Sequence, residues 1–180
     1  MLKEIELRRS IRKYKDTPVS QETLESILDA GRFAPSGCNF QPWSFLVITD
    51  TELRERIATV DHDQRWMLTA PVIIVALGDL KAIPEQKSDH PLLEDESNPA
   101  LKRIIRDVSI AITNIMLESV HQGLGTCWTG WYFQADMRKA LSLPDDIYVC
   151  GVLTLGYPDE EPTVKSRKPL HEIVRYNKWE

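Results

Sequence analysis

"ALKRIIRDVSIAITNIMLESVHQ" (Ala100–Gln122) reads as one helix from end to end. Leu101, Ile104, Ile105, Val108, Ile112, Ile115 and Met116 recur every three or four residues, the spacing of a helix face. Gly123 follows where a left-handed residue would end it. The apolar stripe is broad, so the pattern predicts a central, mostly buried helix. Strands flank it on both sides. Upstream, "WSFLVIT" (Trp43–Thr49) is rich in β-branched and aromatic residues, and "PVIIVALGD" (Pro71–Asp79) is the near-continuous apolar run of a buried strand. Downstream, "IYVCGVLTLGYP" (Ile147–Pro158) reads as another core strand.

Four shorter helices complete the pattern. Residues 3–9 form one that ends in arginines, which its C-terminal dipole favours. A second starts with Ser20 as N-cap and Val19 and Leu24 as a hydrophobic staple, and stops at Pro35. Thr51 to Val60 and "QADMRKALSL" (Gln134–Leu143) give the others. Leu80–Pro99 is polar and punctuated by prolines, a long loop or lid. The tail Asp159–Glu180 has little periodicity and is expected to wrap over a surface, its own or a partner's.

The alternation of strands and helices is irregular, and neither G-x-G-x-x-G nor G-x-x-x-x-G-K-[ST] is present. A doubly wound nucleotide-binding fold is therefore excluded. The expectation is an α+β fold over residues 1–180 as a single domain, one small sheet with helices around it. A chain of 180 residues, 42% hydrophobic and 27% charged, belongs to the soluble globular class. Its formal net charge of −5 argues against nucleic acid as a partner. Cys38, Cys127 and Cys150 stand at spacings unlike a metal site, and the four histidines are scattered, so no metal centre is expected. A reducing cytoplasm is the simplest setting, and no apolar run suits a signal peptide or a membrane span.

Four segments carry candidate chemistry. "RRSIRK" (Arg8–Lys13) packs Arg8, Arg9, Arg12 and Lys13 around Ser10. Guanidinium forks and a hydroxyl suit a terminal phosphate; taken alone, a solvated basic helix end is the simpler account. A second cationic group, Lys165, Ser166 and Arg167, suits the same anion. In "APSGCNFQPW" (Ala34–Trp43), Pro35, Ser36 and Gly37 make a turn, and Asn39 and Gln41 offer amides that match the edge of a heterocycle; plain turn chemistry is the alternative. In "GLGTCWTGWY" (Gly123–Tyr132), glycines and small polar residues separate Trp128 from Trp131 in a strand-like stretch where backbone can approach a flat ring. A helix cap followed by a core aromatic would read the same way.

In this order, from Leu7 to about Pro169, the four segments closely resemble the FMN-dependent nitroreductase family. The resemblance implies a small, mostly antiparallel sheet flanked by helices around a long central helix, with a C-terminal tail wrapping the partner subunit. It implies a homodimer with FMN at the interface. Arg8, Arg9, Ser10 and Arg12, with Lys165 and Arg167, would hold the phosphate and ribityl end. Pro35, Ser36, Gly37, Asn39 and Gln41 would lie against the flavin of the other subunit, and Cys127, Trp128, Thr129 and Gly130 would run along the isoalloxazine. Gln64 or Arg65 would add a polar contact. The implied activity takes hydride from NADH or NADPH onto flavin N5 and passes it to a nitroaromatic, quinone or similar acceptor by ping-pong turnover, with no catalytic side chain of its own. Arg12 is the candidate positive charge beside the reduced ring. Reductive dehalogenation, flavin fragmentation or a non-catalytic flavin-binding dimer are the alternatives. Cys38 and Cys127 read as small fillers beside the ring, since no C-x-x-C pair accompanies them. Residues 81–99 are the candidate lid.

Overall fold

A computed structural model describes residues 1–84, 86, 88–94 and 98–179. Four strands form one sheet in the order β1-β2-β4-β3: β1 (Trp43–Ile48), β2 (Val72–Asp79), β3 (Gly125–Thr129) and β4 (Ile147–Gly156). All three pairings are antiparallel. The sheet is flanked by α2 (Gln21–Arg32) and α4 (Pro99–His121) on one face and by α3 (Thr51–Val60) and α5 (Gln134–Leu141) on the other. Two short helices, α1 (Lys3–Leu7) and α6 (Leu170–Ile173), lie near the chain ends.

The apolar patterns explain the layers. Along β2, Val72, Ile74 and Ala76 point to the α2/α4 side, where Leu24, Ile27, Ile104, Ile112 and Ile115 meet them. Ile73, Val75 and Leu77 point to the other side, against Ile57 of α3 and Met137 of α5. A strand covered on both faces has no polar alternation to show, which is why its sequence is an unbroken apolar run. Between Ala76 and Leu77 the register with β4 jumps from Gly151 to Val149, leaving Cys150 as the extra residue of a bulge.

α4 is the buried central helix its stripe predicts, with Leu101, Ile104, Val108, Ile112 and Ile115 in the core. Asn98 caps its start by accepting from the Ala100 N–H at 2.8 Å. Gly123, at φ +77°, closes its end, and the chain turns directly into β3. Ser20 caps α2 as expected, its Oγ accepting from the Thr23 N–H at 3.1 Å. Ser20→Ala is expected to cost about 1 kcal/mol of stability, read from the urea midpoint.

Three boundaries differ from expectation. α1 stops at Leu7, two residues early, because Arg8 turns into extended backbone (φ −55°, ψ 126°), so the arginines lie beyond the helix. α2 ends at Arg32, ahead of Pro35. The Leu80–Pro99 segment is less loop-like than its polarity implies. Leu80, Ile83 and Leu92 are buried in the α4 core, and the Leu92 N–H donates to the Asp145 carbonyl at 3.2 Å. Part of the candidate lid, residues 85, 87 and 95–97, lies outside the described residues.

Candidate functional site

β3 is an edge strand, and the site is built along it. One edge pairs with β4, from Gly125 opposite Gly156 to Thr129 opposite Val152. On the other edge the N-terminal arm runs parallel to its first half: Ser10 bridges Thr126, and the Ile11 N–H donates to the Thr126 carbonyl at 3.0 Å. The arm is held at its far end by the start of the tail. The Lys15 N–H donates to the Tyr157 carbonyl at 2.8 Å, and Lys13 pairs with Asp159 at 2.7 Å. One carboxylate oxygen, Glu160 Oε1, accepts from the Arg12 N–H and, at 3.1 Å, from the Lys13 N–H. Beneath the arm the Tyr14 hydroxyl lies 2.6 Å from both the Ile11 carbonyl and Thr154 Oγ1.

Where the arm leaves the strand, a cavity of about 500 Å³ opens. Arg12 contributes from the arm, residues 127–131 from β3 and its continuation, and Gln64 and Trp66 from the segment after α3. The volume is within the roughly 300–1,000 Å³ of small-molecule sites. Arg12 holds its guanidinium 5.8 Å from the centre of the Trp66 ring. Trp128 lies over the backbone of Gly151, where a Cβ would collide with the indole Nε1. Beside Gly130 nothing lies within 4 Å of where a Cβ would be, so there is room for a ligand against the backbone.

The donors are cationic and the surfaces aromatic. Arg12 lines the cavity beside Cys127, while Arg8 and Ser10 lie on the arm outside its lining, Ser10 paired with Thr126. Burial raises the pKa of Cys127 above the ordinary thiol value, and the Arg12 guanidinium works against that rise. A buried thiol kept protonated is a poor nucleophile, in keeping with a filler role.

Not every expected residue joins this cavity. Arg9 turns back toward the end of α1, donating to the Glu6 and Arg8 carbonyls at 2.6 and 2.8 Å. Lys165 and Arg167 lie exposed on the tail, with the Arg167 guanidinium 3.2 Å from the Lys165 carbonyl. The turn of Pro35, Ser36, Gly37, Asn39 and Gln41 packs elsewhere, against α4. There the Gly37 N–H donates to Asp107 Oδ2 at 3.1 Å and the Gln41 N–H to Ser36 Oγ at 2.9 Å. Cys38, Asn39 and Gln41 all have φ near +50°, left-handed positions that hold the turn in a tight hook. Of the pair Gln64 and Arg65, Gln64 faces the cavity. Arg65 pairs with Asp63 and lines a separate, charged groove between α3 and α5. The described part of the candidate lid contributes no lining residue. Trp66 is an addition that the sequence patterns did not single out, and Trp131, the second tryptophan of the glycine-tryptophan stretch, joins the lining.

A chain with an arginine-serine arm strapped to an edge strand beside a tryptophan-lined cavity has relatives. The model of the family described as "Nitroreductase family" matches residues 5–157. The chain belongs to the nitroreductase family. Nitroreductase-family relatives include a Methanothermobacter thermautotrophicus protein whose name, NADH dehydrogenase/NAD(P)H nitroreductase, is provisional; it is 35% identical over 90% of this chain and 79% of its own. The FMN reductase [NAD(P)H] of Bacillus subtilis is 28% identical over 96% of this chain and 72% of its own. Among solved structures, the NADPH:FMN oxidoreductase of Vibrio harveyi complexed with NAD+ superposes with a TM-score of 0.87 at 28% identity, covering 98% of this chain and 76% of that one. The nitroreductase fold expected from the four segments is thus the fold observed. No helix of the described residues is long and apolar enough to cross a membrane.

Proposed function

We propose that this chain is an NAD(P)H-dependent flavin oxidoreductase that binds FMN in the Arg12–Trp131 cavity, as a homodimer, and reduces nitroaromatic, quinone or similar acceptors by ping-pong turnover. The observation that carries the reading is the seating of Arg12 beside the backbone of residues 127–131, on an arm whose Ser10 pairs with Thr126. The donor set fits the cofactor: cations for a phosphate, amide and hydroxyl groups for a heterocycle edge, aromatic rings beside a flat ring system. When bound, FMN supplies the hydride chemistry; the protein supplies binding, orientation and charge.

Each residue then has a role. Arg8, Ser10 and Arg12, joined by Lys165 and Arg167, hold the anionic end, and the Arg12 charge favours an electron-rich ring. Thr129, Gln64 and Gly130 fix the ring edge and let it approach the backbone. Trp128 and Trp131 shield one flank from water. The hooked turn at residues 35–41 is presented away from its own cavity, which suits a role across a dimer interface. Apolar tail residues such as Trp179 (85% exposed) and Tyr176 (83% exposed) suit the same interface.

The test is an absorption spectrum of the purified protein followed by anaerobic NADH or NADPH. Flavin bands that bleach support the reading. Colourless protein that takes up no added FMN refutes it, and bound flavin that no nicotinamide bleaches would make the protein a non-catalytic flavin binder. Arg8→Ala and Arg167→Ala are each expected to weaken FMN binding about tenfold or more, the loss of one charge-assisted contact, in a flavin fluorescence titration.

A further inference from the structure

Asp61 is out of place by every criterion of stability. It is completely buried, where carboxylates are rare unless paired. It caps the C-terminal end of α3, where the helix dipole opposes negative charge. Its Oδ2 accepts from Thr129 Oγ1 at 2.6 Å, but its Oδ1 has no hydrogen-bond partner among the described residues. A residue chosen for folding alone would be aliphatic here.

Asp61 stands immediately before a reversal of the chain. After it, His62 and Asp63 both take left-handed backbone (φ 57° and 54°), which reverses the chain until the Gln64 N–H donates to the Ala58 carbonyl at 2.9 Å. That reversal returns Gln64 to the side of Thr129. A chain of hydrogen bonds results: Trp66 Nε1 donates to Gln64 Oε1 at 3.0 Å, Gln64 Nε2 donates to Thr129 Oγ1 at 2.9 Å, and Thr129 donates to Asp61. The middle members are ambivalent, since an amide can flip and a hydroxyl can rotate. The end members are not. An indole N–H only donates and a carboxylate only accepts, so together they lock the direction of every bond between them.

We propose that Asp61 is a positioning residue for the ligand cavity, fixing through Thr129 which edge of the Gln64 amide is offered to the bound flavin. The inference rests on the FMN reading above. With the chain locked, the uncommitted N–H of Gln64 Nε2 and the second lone pair of Oε1 have one assignment. The ring edge then meets a defined donor and acceptor instead of a rotating pair.

A double-mutant cycle between Asp61 and Gln64 tests it, read as FMN dissociation constants from flavin fluorescence quenching on the full-length protein. Asp61→Leu, of similar size and without an acceptor, is expected to weaken FMN binding about tenfold in the wild-type background and less than about twofold when Gln64 is already alanine. Asp61→Asn keeps an acceptor oxygen and is expected to return affinity to within about threefold of wild type. Equal losses in both backgrounds, or an asparagine variant as weak as leucine, overturn the proposal. Should Asp61→Leu fail to fold, Thr129→Val removes the linking hydroxyl at nearly constant volume and goes through the same cycle with the same criteria. Wild-type protein that binds no FMN overturns both the inference and the reading beneath it; wild-type binding with an additive cycle overturns the inference alone.

Discussion

A chain ending at Glu161 will bind FMN at least a hundredfold more weakly than the full-length protein and will sediment as a monomer. The truncation removes Lys165 and Arg167, proposed above as phosphate contacts, and charge-assisted contacts are worth about 1.5–3 kcal/mol each. At 1.4 kcal/mol per factor of ten, their joint loss reaches two decades. It also removes Val164, Leu170, Ile173, Tyr176 and Trp179, which are between 60% and 85% exposed. Apolar surface of that extent is hidden in a partner when a protein is soluble. The cut spares Glu160, so the arm keeps its hydrogen bonds from the Arg12 and Lys13 backbone, and a retained fold separates the two roles from simple unfolding. Flavin titration and sedimentation velocity measure the outcome. A truncated dimer with full FMN affinity would remove the tail from the site altogether.

The second large effect is on stability. Ile104 is completely buried, and its Cγ2 occupies the space that a side chain at Gly78 would need. This contact seats the first half of α4 on the sheet at the end of β2. Ile104→Ala leaves a cavity where neither the glycine backbone nor the rigid sheet can collapse, and is expected to cost roughly 2–5 kcal/mol. The measurement is the urea midpoint of apo-protein at fixed concentration, because ligand and partner binding both shift apparent stability. A change below about 0.5 kcal/mol, the scale of a surface substitution, would mean that this contact is not part of the core.

Elements that bury their own pattern are legible in the sequence. α4 shows its stripe, β2 its unbroken apolar run, and Ser20 its cap, because in each the local chemistry and the final environment agree. β3 is harder to read. "GTCWT" has a glycine and two threonines and no apolar alternation, and it is a strand because β4 and the arm at Ser10 pair with it. The same division runs through the site. Arg12 and residues 127–131 are visible as motif; Trp66 is not, since it meets the cavity only after the reversal at His62 and Asp63, and neither is Asp61, buried behind Thr129. One signal was available for Asp61: an acidic residue at the wrong end of a helix, where a local rule is broken. The turn at residues 35–41 and the cations at 165–167 are recognisable as motifs, yet within this chain they lie apart from the cavity.

The strap between the N-terminal arm and Glu160 also sets a timetable. Arg12 and Lys13 leave the ribosome 148 and 147 positions ahead of the carboxylate that pins them. A nascent chain therefore carries its N-terminal arm unpinned while nearly everything else is being made, and closing so long a loop is a late event in folding.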